Sequence, residues 1–303
     1  MSNSITLSLF NNYLGEISAL SAALLWAISS VMYSRLGLKI PPLRLNLYKG
    51  VMAIFFIVLT LIIQRAALTD VSWRIVGLLS LSGAIGIGLG DTAYFAALNN
   101  LGARRTLLLE TASPPIGALL ALIFIGEQLA PLSWCGIFLT TIGIAWVISE
   151  RNPVENMSIS RQGIMWGILA AISQAVGSVI SRLALIESEI SPLESSLIRL
   201  LGGTIIVISL LFLSSSKETK VQVTLSVRSL DIIAIAALGS TYLGIWLQQT
   251  SLKFAPTGIA QAFLATSPLF ILHIVALQGE KINFRAVLGV LISLAGIALM
   301  FIR

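Results

Sequence analysis

Only 11% of this 303-residue chain is charged, so few side chains are available for chemistry, and their placement can be read directly. Arg44 and Lys49 open one apolar run. Asp91 closes the next, and Glu110 opens the one after, just behind Arg104 and Arg105. All lie within about two helical turns of the same ends of their runs. Acids and bases gathered there can pair as Asp91 or Glu110 with Lys49 or Arg44. The cluster can serve as a gate or as a relay that takes up and releases protons. A static ion pair, or basic side chains reaching lipid headgroups, is the plainer reading. Further on the polar set changes to Gln248, Gln249, Gln261 and the single histidine, His273. His273 could bond a solute, shuttle a proton, or bond a neighbouring backbone. Trp26, Tyr33 and Gln174 add aromatic surface with polar edges, which suits an organic solute.

The elements holding these residues are apolar almost throughout. Hydrophobic residues make up 56% of the chain, and the mean hydropathy is +0.95. A soluble surface cannot be covered with so few charges. A hydrocarbon core about 30 Å thick takes roughly 20 apolar residues per helix. On that measure spans are expected at 16–34, 42–64, 75–97, 104–126, 132–149, 162–184, 193–214, 231–251, 257–278 and 284–302. Between the third and fourth the sole interruption is "NNLGARR". The longest polar stretches, "SERNPVENMSISRQG" and "SSSKETKVQVTLSVRS", are too short for a domain. The first contains the glycosylation-like triplet at Asn156, a motif short enough to arise by chance. No basic tract forms a nucleic-acid face, although the net charge is +6. One cysteine, Cys135, excludes an internal disulfide, and one histidine leaves little for a metal. The N-terminal stretch lacks a basic n-region, so the first apolar helix is expected to stay in the protein.

The chain repeats itself. Pairing Pro115 with Pro268 brings Gly126 onto Gly279, Glu127 onto Glu280, Gly136 onto Gly289 and Gly143 onto Gly296, at one offset of 153 residues. Glycines seven apart share a helix face and let helices approach closely. "SRL" at 34–36 mirrors "SRL" at 181–183, and Arg44-Leu45 resembles Arg199-Leu200. Glu110 falls on Phe263, and Asp91 on Gly244 or its neighbour. Halves of five spans, 1–151 and 152–303, must enter the membrane from opposite sides because five is odd. The fold class expected is therefore an all-α integral membrane protein of ten helices in two inverted five-helix repeats. Proline and Gly-Glu, present in both copies, read as architecture. Glu110, present once, is the better functional candidate. Gly83, Gly86, Gly88 and Gly90 crowd the third span and are expected to allow close packing or a bend.

Trp26 in "ALLWAISS", Arg44 at the start of the second span, and the doubled Pro–apolar–Gly-Glu–Gly–Gly passage resemble the drug/metabolite transporter superfamily, in its EamA-type branch. The resemblance implies ten helices in two inverted repeats around a central cavity built mainly from spans other than the fifth and tenth. It also implies carriage of amino acids, nucleosides, sugars or other metabolites. Gln174 stands at roughly the place of Trp26 in the second half, so that part of the pattern is not kept twice.

The function expected is secondary transport or export of small organic metabolites, with zwitterions such as amino acids favoured by a cluster of both signs. Alternating access, driven by a proton gradient or by exchange, would power it. A channel or membrane scaffold is the alternative. A membrane enzyme would rest on Asp91 with Glu110 alone, with no HExxH or acidic metal-binding tract, so no cofactor or metal is expected. The expected partners are a small-molecule substrate and membrane lipids, in a monomer or homodimer of the cell membrane. Both termini share one side. Basic residues near span ends gather away from that side, which by the charge rule places the termini outside. The resemblance implies termini inside.

Overall fold

A computed structural model describes residues 13–37, 40–65, 69–148, 160–213, 227–277 and 284–301, with the backbone alone at 31, 34–37, 103, 104, 227–229 and 273–277. The first span is the helix Leu14–Gly37. The next six are Pro42–Ile63, Trp73–Gly102, Arg105–Phe124, Pro131–Ile148, Arg161–Ile186 and Pro192–Leu213. The eighth is Leu230–Phe254, and the tenth Phe284–Phe301. Thr257–Leu264 and Ser267–Leu277 together form the ninth. Phe55, Ile62, Ile63, Phe124, Phe212 and Leu213 point outward, as a surface facing lipid requires.

The spans end where the backbone forces them to. Gly102 (φ 78°, ψ 165°) interrupts the helix Thr92–Glu110 and separates the third span from the fourth. This is the position the sequence marked with "NNLGARR", and only glycine takes that conformation cheaply. Pro42, Pro131 and Pro192 each stand first in a helix, where a missing N–H costs nothing.

Two irregularities occur once in each half. The third and eighth spans carry π-helical turns at Ala84–Asp91 and Leu238–Leu243. The fourth span breaks between Glu110 and Ser113, and the ninth between Leu264 and Ser267. Pro115 and Pro268 sit in the first turn of the helix resuming after each break, so they begin new half-helices rather than bend old ones. Gly126 (φ 73°) ends the fourth span in the left-handed region. Gly279, Glu280, the triplet at Asn156 and both long polar stretches lie wholly or mainly outside the described residues.

The fifth and tenth spans pack along a glycine seam. A Cβ on Gly136 would stand 2.7 Å from the Gly296 carbonyl oxygen, and one on Gly143 2.7 Å from that of Gly289, with reciprocal contacts from Gly296 and Gly289. Thr140 Oγ1 and Ser293 Oγ each reach across to the other's carbonyl, at 3.4 and 3.5 Å. These two residues are themselves repeat counterparts, so the two helices meet around a pseudo-twofold axis.

Candidate functional site

The other eight spans enclose a central cavity of about 430 Å³. Among the described residues nothing from Pro131–Ile148 or Phe284–Phe301 lines it. The second and seventh spans contribute a single cation each, Lys49 and Arg199. Trp26 and Tyr33 come from the first span, Asp91, Tyr94 and Phe95 from the third, Glu110 from the fourth, Gln174 from the sixth and Gln248 from the eighth. Of the residues chosen from sequence, the fold thus brings together Trp26, Tyr33, Lys49, Asp91, Glu110, Gln174 and Gln248. Arg44 is not among the lining residues. His273 lies in the helix Ser267–Leu277, but its side chain is outside the described residues, as is that of Arg104.

The π-helical turns supply part of this wall. Widening a helix frees carbonyls from their usual partners, and such turns frequently mark functional sites. Asn46 Nδ2 donates to the Ile87 carbonyl at 2.9 Å. Trp26 Nε1 donates to the Ser240 carbonyl at 2.8 Å. Each π turn is therefore braced by a polar side chain from another span. A Cβ on Gly244 would strike the Trp26 indole, 2.9 Å from Cδ1. The half-helix ends Glu110 and Leu264 correspond, as do Ser113 and Ser267, and in that register Gly244 answers to Gly90 while Asp91 falls on its neighbour Ile245.

Lys49 Nζ pairs with Asp91 Oδ2 and stands over the Phe95 ring, 5.2 Å from its centre. The lysine side chain keeps 8% of its surface exposed and the aspartate 31%. Lys49→Met should leave Asp91 without its counter-charge at the cavity wall. The expected loss is about 2 kcal/mol, between the values for exposed and fully buried pairs. Lys49→Met with Asp91→Asn should recover part of it. Unfolding midpoints in detergent measure both.

Glu110 ends the first half of the fourth span, and its Oε1 is buried without a hydrogen-bond partner among the described residues. The sequence pairs Glu110 with Phe263, but Leu264 ends the matching half-helix and takes the same place on the cavity wall, while Phe263 is fully buried and packs edge-on against Phe301 at 5.2 Å. One half thus offers an acid to the cavity where the other offers a leucine. Gln261, from the half-helix Thr257–Leu264, accepts from Ser113 Oγ at 3.0 Å and ties the two broken spans together.

Arg199 is the residue sequence reading placed wrongly. The shared Arg-Leu pair matches it with Arg44, at the start of a span. The second and seventh helices are both 22 residues long and both begin at proline, which makes Lys49 the counterpart of Arg199 and Glu194 that of Arg44. Arg199 is 1% exposed and belongs to the cavity wall, so it carries no topology signal. The usable trace was "PLRLNLYK" beside "PLESSLIR". The glycines of the third span make room for it. Gly83 meets the Arg199 backbone directly, and a Cβ on Gly86 would lie 3.3 Å from Arg199 Nη2 and 3.7 Å from Gln174 Oε1.

On the side carrying the termini the cavity is floored by Gln248 and Gln261, and beyond them lies a polar network. Arg182 Nε donates to Glu127 Oε1 at 2.6 Å, and its Nη1 donates to the Leu252 and Lys253 carbonyls at 2.7 and 2.8 Å. Glu127 Oε2 accepts from the Thr257 backbone N–H at 2.8 Å. Glu194 accepts from Thr69 and Ser191. Toward the opposite side the cavity reaches Tyr33 and Leu107, within about two turns of the ends of their spans. Among the described residues no group of three or more His, Cys, Asp or Glu could hold a metal ion.

The sequence model of the EamA-like transporter family matches this chain twice, over residues 13–149 and 161–302. Comparison with curated proteins finds no match. Among solved structures, one described only as a crystal structure of a protein is similar over 94% of this chain and 95% of its own, with a TM-score of 0.76 at 15% identity. At that identity the likeness concerns the fold.

Proposed function

The chain belongs to the EamA-like transporter family, and from that premise we propose that this multi-pass membrane protein is a secondary transporter of small zwitterionic solutes, amino acids or close relatives. It works by alternating access, with Glu110 as the proton-coupling group. One observation carries the reading: both signs of charge converge on one aromatic-edged cavity inside the bilayer. Lys49 and Arg199 face it beside Asp91 and Glu110, with Trp26, Tyr33, Tyr94 and Phe95 around them. Intramembrane charges are costly and mark solute or ion pathways. Two cations and two acids suit a solute that itself carries one charge of each sign. One chain supplies every wall described, so a monomer, or each half of a homodimer, suffices. The cell membrane is its proposed setting.

The test is uptake into proteoliposomes of amino acids, nucleosides and organic cations, with and without a pH gradient. Saturable amino-acid uptake enhanced by the gradient is expected, whereas non-saturating flux would indicate a channel. Glu110→Gln should abolish the enhancement while leaving exchange of solute for solute intact. Gradient-driven uptake that survives the substitution would remove Glu110 from the relay.

A further inference from the structure

We propose that Arg199, with Gln248 and Gln174 beside it, is the receptor for the carboxylate of the transported solute, so that solutes bind with their anionic end against the seventh span. The proposal rests on the zwitterion reading above and adds which residue reads which end.

The argument begins with the difference between the two halves. Each places one cation at the same point of equivalent helices. Lys49 is neutralised by Asp91. In the register set by the paired helix breaks, the counterpart of Asp91 is Ile245, an apolar residue on the cavity wall. Arg199 consequently has no carboxylate within 4 Å among the described residues. Its Nη1 donates to Gln248 Oε1 at 3.3 Å, and its Nε has no acceptor among the described residues. Gln248 Nε2, in a residue 3% exposed, has no partner among them either. Both side chains line the cavity. A buried guanidinium is costly unless an anion answers it, and unanswered donors retain their desolvation cost. A solute carboxylate answers both groups at once, since the planar guanidinium fork matches two carboxylate oxygens. Gly86 keeps the approach clear, because the arginine and Gln174 converge on the space where its Cβ would be. A doubly charged phosphate fits less well, because the acids across the cavity oppose it.

The experiment compares each of the common L-amino acids with its C-terminal amide, which keeps the amine and loses the carboxylate. Competition for uptake by the full chain in proteoliposomes gives the preference. Wild type should favour the acid over its amide by about tenfold or more, the discrimination expected where removing a ligand group leaves buried polar groups unpaired. Arg199→Gln should lose that preference while still transporting the amide, which also shows that it folds. Arg199→Lys, which keeps charge without the fork, should fall between. A wild type that takes acid and amide equally overturns the proposal without any variant. Equal loss of acid and amide in Arg199→Gln, or an unchanged preference, overturns it while amino-acid transport stands. If no amino acid is transported at all, the zwitterion reading fails and the receptor assignment fails with it.

Discussion

Replacing Glu127 by glutamine should unseal the side of the molecule that carries both termini. Arg182 and Glu127 keep 15% and 12% of their side chains exposed, so the pair is largely shielded from water. Removing one partner of a buried pair typically costs about 3–5 kcal/mol, because the other charge is left uncompensated. Here the loss spreads further. The carboxylate holds the first N–H of the helix Thr257–Leu264, and the guanidinium holds the last carbonyls of Gly244–Phe254. Both are helix ends whose dipoles favour those charges. One pair therefore joins the fourth, sixth, eighth and ninth spans. The unfolding midpoint of Glu127→Gln should fall accordingly, and Arg182→Gln added to it should recover part of the loss. With Cys135 replaced by serine, a cysteine introduced at Thr241 in the cavity wall should react faster with an impermeant maleimide added on the terminal side. An unchanged midpoint and unchanged labelling would show that the pair does not hold that side closed.

Gly143→Leu should cost more than the roughly 1–3 kcal/mol usual for overpacking. The added side chain would meet the Ser293 hydroxyl and, behind it, main chain that cannot swing away. Its Cβ would lie 2.6 Å from the Ser293 amide nitrogen and 2.7 Å from the Gly289 carbonyl oxygen. Without a hydrophobic drive between helices in lipid, that close approach is itself the source of association. The tenth span should separate from the fifth, seen as a large fall in folded yield and midpoint. Gly77 is the internal control, because nothing among the described residues lies within 4 Å of its Cβ position, and Gly77→Leu should be tolerated. Neither seam helix lines the cavity among the described residues, so surviving Gly143→Leu protein should keep the KM of wild type. A changed KM with an unchanged midpoint would overturn this division of labour.

The limits of sequence reading can be seen in two residues. Glu127, read from its doubling as a mere helix end, turns out to bridge four spans. Its partner Arg182 lies 55 positions away in sequence, and no local pattern joins them. Arg199 is misplaced by its match to Arg44, because the Arg-Leu pair is shared while the direction of each side chain is not written in the sequence. A soluble helix shows its buried face by alternating with polar residues. A helix wrapped in lipid and protein does not, so the direction in which residue 199 points cannot be read from its neighbours. The π turns compound this, since widening a helix shifts the angular phase of every residue beyond them.

The sequence by itself determined how many times the chain crosses the bilayer, where Gly102 and the prolines begin and end the helices, and that the second half repeats the first. These follow from local costs: a backbone amide must be satisfied in lipid, and glycine and proline permit or forbid particular dihedrals. Only the tertiary structure decided which charges share a cavity, why Lys49 has a counter-ion while Arg199 has none among the described residues, and which distant spans Glu127 and Arg182 join. Those depend on helix rotation and on contacts between distant spans. Lipid and protein interior are alike apolar, so hydropathy places a helix in the membrane but does not say which way it turns.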